Sequence, residues 1–157
     1  MRSTLLLLTL LAVLPACTDG LRTQPGDPSS GPIQKVVFHA ARGDRYLSVR
    51  VADTPEERAR GLMGVQDLPA DEGMAFAFAE PSTASFWMKD TLVPLSIAFV
   101  GPDGTIVTLA NMTPCRADPC PTYSARAPYT LAVEANAGWF RDHGIHEGDR
   151  CSWPEAA

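Results

Sequence analysis

Alternating apolar and polar residues predict β-strands along most of the chain beyond residue 35. In residues 45–51 every second side chain is apolar, which is the period of a strand with one buried face. A short turn joins this segment to the apolar run 35–40, so the two predict a hairpin. Further strands are predicted at 74–78, 86–88, 95–100, 105–110 and 129–135, with a last short one inside 145–153.

The first of two predicted helices has a strong start signal. Thr54 can cap it, Pro55 suits its first position, and Glu57, three residues after the cap, completes a capping box. Gly61 is expected to end it, since glycine readily adopts the conformation that closes a helix. The sequence therefore predicts a short helix directly after the hairpin.

A second short helix is predicted over 137–143, capped by Asn136 and stopped by Gly144. Many short strands with two short helices indicate a mainly β (α+β) fold, either a compact antiparallel β-sandwich or a half-barrel. The chain of 157 residues is long enough for one such domain. We place this single globular, β-rich domain at 35–154.

The first residues have the pattern of a bacterial lipoprotein signal. Arg2 gives a positive start, and the apolar run 5–14 is too short to span a bilayer, which needs about 20 residues. Residues 14–17, Leu-Pro-Ala-Cys, then resemble a lipobox, in which the cysteine is lipidated after cleavage. We predict a signal peptide at 1–16 and a lipidated Cys17, with plain secretion as the alternative.

Residues 17–34 are rich in Gly, Pro and Ser. They cannot bury enough apolar surface to offset the entropy of ordering, so beyond the lipidated Cys17 we predict a flexible tether. The protein would be extracytoplasmic, with its acyl chains holding it on a bacterial membrane. Both the inner and the outer membrane are compatible with the sequence.

The net charge argues against nucleic acid as a partner. The formal charge is −5, and removing residues 1–16 takes away Arg2 and no acid, leaving −6. Neutralising phosphates needs clustered Lys and Arg, and the sequence has no such cluster.

Three further cysteines follow Cys17 in the sequence. Cys115 and Cys120 lie in one Pro-rich segment outside a reducing compartment, where a disulfide is preferred to a metal clip. Cys151 is left over. It is either a small apolar residue of the last strand or replaces one of the other two in the pairing.

Candidate chemistry is concentrated in residues 85–91, Ser-Phe-Trp-Met-Lys-Asp-Thr. The Trp87 ring, the Lys89 ammonium and the Asp90 carboxylate could together hold a small polar or ionic ligand by stacking and charge-assisted hydrogen bonds. The alternative is a turn in which Asp90 and Thr91 satisfy backbone groups while Lys89 lies over Trp87.

Several motifs occur in an order that indicates a family. They are Arg60-Gly61-Leu62-Met63, Gly73-Met74 with Phe76 and Phe78, residues 86–91, residues 94–99, and Glu134 with Ala137-Gly138. Over roughly residues 35–153 the chain resembles the prokaryotic family called domain of unknown function 192. The resemblance implies a compact, mostly β fold in envelope or exported proteins, and it supplies no established activity.

Two positions depart from the family pattern. Asp90 stands where the family commonly has Asn, and Ser96 stands where many members have Asp. A site that depends on a carboxylate at the second position would lack it in this chain.

Arg60 precedes the glycine that ends the first helix, where a cation suits the helix dipole. It could instead pair with Asp90 or form a buried bridge with Glu134, because the apolar strand 129–135 would bury that carboxylate. The expected binding groove is lined by Trp87, Lys89, Asp90 and Thr91, with Arg60, Met63 and Tyr123 as secondary members.

An enzyme is the less favoured interpretation. The sequence has no nucleophile elbow, P-loop or dinucleotide fingerprint, so no catalytic residue is nominated. A hydrolase acting on envelope sugars or peptides through Asp90 or Glu134 is the alternative, because hydrolysis by carboxylates requires no recognisable sequence motif.

His143 and His146 are three residues apart, but Gly144 separates them, and we predict no metal site and no cofactor. The favoured function is a membrane-anchored module that binds a small ligand or an envelope protein.

Overall fold

A computed structural model of the chain describes residues 33–154, which form nine β-strands and two short helices. The mainly β class is therefore confirmed. The elements are β1 (Ile33–Ala40), β2 (Gly43–Ala52), α1 (Pro55–Arg60), β3 (Glu72–Ser82), β4 (Phe86–Trp87), β5 (Leu95–Val100), β6 (Ile106–Met112), β7 (Thr122–Tyr123), β8 (Tyr129–Asn136), α2 (Trp139–Asp142) and β9 (Arg150–Ser152).

Seven of the strands form one sheet in the order β6-β5-β8-β3-β2-β1-β9. All neighbours in it are antiparallel except β2 and β3, which are parallel and are connected through α1. The sheet is not closed into a barrel, although an isolated bridge joins Thr105 to Arg150. Strands β4 and β7 form a separate two-stranded ladder with Phe86 opposite Tyr123.

The sheet has a hydrophobic cluster on each face because its central strands alternate their side chains between the two. The first cluster contains Val36, Phe38, Leu47, Val49, Ala75, Ala98, Leu131, Val133, Ala135 and the α2 residues Trp139 and Phe140. The second contains Leu62, Met74, Phe76, Met88, Leu95, Ile97, Phe99, Tyr129 and Ala132. The candidate site lies on the face of the second cluster.

The predicted hairpin and the start of α1 are confirmed. Strands β1 and β2 pair in register from Ile33 opposite Arg50 to Ala40 opposite Gly43. At α1 the Thr54 side chain accepts from the backbone N–H of Glu57, whose carboxylate accepts in return from the Thr54 N–H.

The predicted cap of the second helix is wrong. Gly138 occupies the cap position of α2, and its N–H donates to Ser96 Oγ at 2.8 Å. Asn136 remains in β8, and its side-chain amide donates to the carbonyls of Leu68 and Pro69. Tertiary hydrogen bonds thus take the place of the local cap that the sequence indicated.

The predicted signal peptide, Cys17 and nearly all of the predicted tether lie outside the described residues. Within residues 33–154, none of the helices has the length and apolar character needed to cross a membrane.

Candidate functional site

A cleft of about 350 Å³ opens between α1 with its following loop and the segment around β4. Its walls come from two parts of the chain that the sheet brings together, residues 55–63 on one side and 84–91 on the other, while β3 and β8 supply its floor. The lining residues are Pro55, Arg58, Ala59, Arg60, Gly61, Leu62, Met63, Phe76, Phe78, Ala84, Ser85, Phe86, Trp87, Thr91 and Glu134.

Trp87 presents the largest exposed apolar surface of this lining. Its neighbour Met88 is only 1% exposed and anchors the segment in the second cluster, whereas Trp87 itself is 50% exposed. In a strand successive side chains point to opposite sides, so packing Phe86 of β4 against Phe76 and Phe99 directs the Trp87 indole outward. Half-exposed tryptophan beside a cleft offers a stacking surface of the kind that small ligands use.

An aromatic cluster supports the cleft from below. The Phe86 ring packs edge-on against Phe76 at a centroid distance of 4.9 Å and against Phe99 at 5.5 Å. Phe78 packs edge-on against Tyr129 at 5.3 Å. These contacts fix the rings that the cleft exposes, so the apolar surface is largely preformed.

Glu134 is the buried polar group of the cleft. It lies in β8 opposite Met74 of β3 and Ile97 of β5, two apolar neighbours. The residue is 4% exposed, and among the described residues its carboxyl has neither a hydrogen bond nor an ion pair. Burial raises the pKa of Glu134 to about 8, so the carboxyl holds its proton at neutral pH.

The expected buried bridge between Arg60 and Glu134 is not formed. Arg60 is exposed at the mouth of the cleft, and in residues 33–154 no ion pair joins it to Glu134 or to Asp90. The charge of Arg60 can be solvated at the end of a short surface helix, so it gains little by entering the low-dielectric floor. Both residues line the cleft, but at different depths.

Arg58 is a basic lining residue that the sequence analysis did not single out. Its guanidinium donates to the carbonyls of Asp53 and Ala77 and lies over the Phe78 ring, 4.9 Å from the centroid. The side chain therefore fastens α1 to β3 at the edge of the cleft. The alternation of large and small side chains in β3 predicts that Phe78 points inward. The contacts of Arg58 with the two carbonyls depend on the tertiary fold and have no local sequence signal.

Lys89 and Asp90 do not line the cleft, in contrast to the expected groove. Lys89 Nζ instead donates to Asp118 Oδ2 at 2.8 Å, and that carboxylate raises the pKa of the Lys89 ammonium. Residues 85–91 therefore present side chains in two directions. Trp87 and Thr91 face the cleft, whereas Lys89 faces the 115–120 loop.

Asp90 acts through its backbone. It has a φ of +53°, a left-handed conformation that Asn and Asp adopt more readily than most residues. Its N–H donates to the Cys115 carbonyl and its own carbonyl accepts from Gly64 N–H, both at 3.0 Å. The backbone of Asp90 thus joins two loops, in a conformation that suits Asp.

Tyr123 also lies away from the cleft lining. It packs against the second cluster, and its hydroxyl accepts from the backbone N–H of Thr113 at 3.1 Å. Met63, by contrast, lines the cleft as expected. Tyr123 belongs to β7, which pairs with β4 so that Tyr123 lies opposite Phe86. The strand at 86–88 was predicted, whereas no strand was predicted at 122–123.

The disulfide between Cys115 and Cys120 is present. It closes the loop that carries Asp118, the partner of Lys89. Cys151 is a buried free thiol packed in the first cluster, and burial raises its pKa to about 12. The alternative pairing of Cys151 is therefore wrong.

Histidines and Ser96 serve the structure elsewhere. His143 Nδ1 lies 2.8 Å from the Trp139 carbonyl, and its ring stacks on the indole of Trp139. In residues 33–154 no group of three or more His, Cys, Asp and Glu side chains is arranged to hold a metal. Ser96 donates to Asn111 Oδ1 at 2.6 Å while accepting from Gly138 N–H, so the hydroxyl joins β6 to α2.

Two solved structures share this fold. One is a protein from Sinorhizobium meliloti 1021 named as a candidate transcription regulator, with 33% identity and a TM-score of 0.73, covering 79% of this chain and 95% of that one. The other is a protein of unknown function from Novosphingobium aromaticivorans DSM 12444, with 33% identity and a TM-score of 0.75, covering 80% of this chain and 88% of that one. Curated proteins give no match.

The family model described as Uncharacterized ACR, DUF192, matches residues 37–153. That range contains the whole cleft, the second hydrophobic cluster, all of the first cluster except Val36, and all of the motifs on which the resemblance was based. The chain therefore belongs to the DUF192 family, domain of unknown function 192.

Proposed function

We propose that the protein is an exported, lipid-anchored binding module whose cleft takes a small organic ligand. The observation that carries this proposal is the conjunction of a half-exposed Trp87 and an unpartnered, buried Glu134 in one cleft of about 350 Å³. A mostly apolar concavity with a few polar groups is the usual form of a small-molecule site.

Anchoring through Cys17 is the second part of the proposal. The export pattern in residues 1–17 supports it, and the disulfide between Cys115 and Cys120 is typical of proteins outside the reducing cytosol. A palmitate analogue fed to cells should label the wild type and leave Cys17→Ala unlabelled. Equal labelling of the wild type and Cys17→Ala would refute lipidation at Cys17. The ligand proposal would be unaffected by that result.

A hydrolase acting on sugars or peptides fits the cleft less well. A raised pKa at Glu134 would suit a general acid. However, glycoside hydrolysis generally needs a second carboxylate, and Glu134 is the one acidic residue in the described lining. The Ser85 hydroxyl is hydrogen-bonded to Ser124 Oγ at 2.8 Å, and no base faces it there. Binding therefore has the stronger structural support.

A role in transcription, as in the name of the Sinorhizobium protein, has no support in the charge of this chain. A regulator that contacts DNA needs basic residues gathered on one face, and this chain has a formal charge of −5. The cleft, with its apolar walls and buried acid, is suited to a small molecule instead.

The test is a thermal-shift screen of cell-envelope metabolites against the full-length chain. A true ligand should raise the Tm of the wild type, and Trp87→Ala should remove that shift. Tyr46→Ala is the matched control, because Tyr46 is 54% exposed on β2 and does not line the cleft. If no compound stabilises the wild type, or if Trp87→Ala responds as the wild type does, the small-ligand function is wrong.

A further inference from the structure

We propose that the cleft recognises an organic cation, whose amine seats beside the Glu134 carboxyl while its apolar portion packs on the surrounding rings. This inference rests on the proposed binding function and names the chemical class of the ligand.

The Glu134 carboxyl presents a hydrogen-bond acceptor at the floor of the cleft. The residue is 4% exposed, but its carboxyl oxygens remain open to the cleft, since within residues 33–154 the fully buried side-chain atom without a hydrogen-bond partner is Gln34 Oε1. A polar group in so sheltered a position is stabilised by a hydrogen-bond partner. Within residues 33–154 this carboxyl has neither a hydrogen bond nor an ion pair, and it faces the cleft. A ligand donor that enters the cleft would therefore supply the missing partner.

The walls of the cleft are rich in aromatic rings. Phe76, Phe78, Phe86 and Trp87 all line the cleft. Aromatic faces attract cations through their quadrupoles, and several rings around one acid form the arrangement that recognises ammonium groups. The Arg58 guanidinium already lies over the Phe78 ring, so one of these faces holds a cation without any ligand.

The cleft lining offers few free polar groups to a ligand. Ser85 is engaged with Ser124, and the Thr91 hydroxyl has the Lys89 carbonyl 3.5 Å away. A sugar or other polyhydroxylated ligand needs many hydrogen-bond partners, which this lining offers only sparsely. A ligand with one charged group and an apolar body matches a lining with one buried acid and several rings.

The arginines of α1 do not reverse this preference. Arg60 is exposed at the mouth, where water and salt screen its charge. Arg58 is half-buried, with its guanidinium donating to the Asp53 and Ala77 carbonyls. Glu134 acts in a low-dielectric floor, where a direct charge pair is much stronger than in solvent. Its neighbours in β3 and β5, Met74 and Ile97, carry no charge.

Binding of a cation would release the proton that Glu134 holds. With a pKa of about 8 in the empty cleft, Glu134 must ionise to pair with an ammonium. Below pH 8, the affinity should therefore increase about tenfold for each unit by which the pH is raised. Above pH 8 it should level off. In isothermal titrations at pH 6.5, performed in two buffers with different ionisation enthalpies, close to one proton should be released for each ligand bound.

The probes are three molecules of similar shape, phenethylamine, 2-phenylethanol and 3-phenylpropionate, titrated into the full-length chain. Phenethylamine should bind at least about tenfold more tightly than the alcohol, and the carboxylate should bind most weakly. Glu134→Gln should remove the preference for the amine, while Glu56→Gln, an exposed α1 variant off the cleft, should keep it. Circular dichroism establishes that both variants are folded.

Equal binding of the amine and the alcohol, a preference that survives in Glu134→Gln, or no measurable binding of the amine would each overturn the cation proposal. If the alcohol or the carboxylate binds and Trp87→Ala abolishes that binding, the cleft is a ligand site for another chemical class. In that outcome the proposed binding function stands and this inference fails.

Discussion

Gly73 and the backbone of Glu134 are in close contact across the β3–β8 pair. A Cβ placed on Gly73 would lie 2.1 Å from the Glu134 carbonyl oxygen. Because that atom belongs to the backbone, a rotamer change cannot relieve the clash. The position of the buried acid therefore depends on a glycine in the neighbouring strand.

Gly73→Ala should lower the free energy of unfolding by several kcal/mol, roughly the 3 to 5 kcal/mol seen for severe core changes. The two strands must separate to admit the methyl group, and Glu134 would move with β8. Gly64→Ala is the control, because a Cβ there meets nothing within 4 Å and only its positive φ is strained. Urea unfolding measures both variants. Similar losses in the two would contradict the account of the contact.

Stability should fall with rising pH because of Glu134. Burial raises its pKa from 4.5 to about 8, so between these values the folded state keeps a proton that the unfolded state releases. The contribution of Glu134 to the free energy of unfolding should decline by about 1.4 kcal/mol per pH unit across that window and stay constant above it.

Glu134→Gln removes the ionisable group and should flatten that decline, so the variant should gain stability relative to the wild type as the pH rises from 5 to 8. Urea unfolding at several pH values measures the difference, with Glu56→Gln as the surface control. Parallel profiles for wild type and Glu134→Gln would show that this carboxyl does not carry a raised pKa.

Thr54→Ala should cost about 1 kcal/mol of stability. The substitution removes the Thr54 oxygen that accepts from the Glu57 N–H and so breaks one half of the capping box. Since α1 has six residues and forms a wall of the cleft, its fraying should also weaken ligand binding. Thr83→Ala, at an exposed loop position, is the control in the same chemical unfolding assay.

Cys151 should resist thiol reagents in the folded protein. It is buried, and its pKa of about 12 keeps the thiolate scarce at pH 8. Iodoacetamide followed by mass spectrometry should modify Cys151 only after the addition of denaturant, and Cys115 and Cys120 only after reduction. Rapid labelling of Cys151 under native conditions would contradict its burial in the first cluster.

The elements with local signals could be predicted from sequence. Alternation between polar and apolar residues locates β2, and the Thr54–Glu57 box locates the start of α1, because both signals act over a few neighbouring residues. The short strand β7 could not be found in the same way. Its two residues gain strand geometry only by pairing with β4, some 35 residues earlier in the chain.

The site could be predicted only in part, for a similar reason. The motif at residues 85–91 predicts Trp87 as a lining residue. The direction of the Lys89 side chain, however, depends on Asp118, which the disulfide-closed loop brings near it. Glu134 was expected to be buried and paired. Its burial is confirmed, while the partner is missing because Arg60 remains at the surface. A buried, unpaired acid is visible only once the fold is known.

The most direct test of the cleft as the binding site is a two-dimensional NMR titration of the isotope-labelled full-length chain with phenethylamine. The account predicts that the largest shifts occur at the Trp87 indole N–H, the backbone amides of Gly61 and Leu62, and the Glu134 side chain. Tyr46, exposed on another part of the sheet, should not respond. Shifts centred away from the cleft would contradict the account of the cleft as the binding site, whereas no saturable shift at millimolar ligand would contradict the organic cation as its ligand.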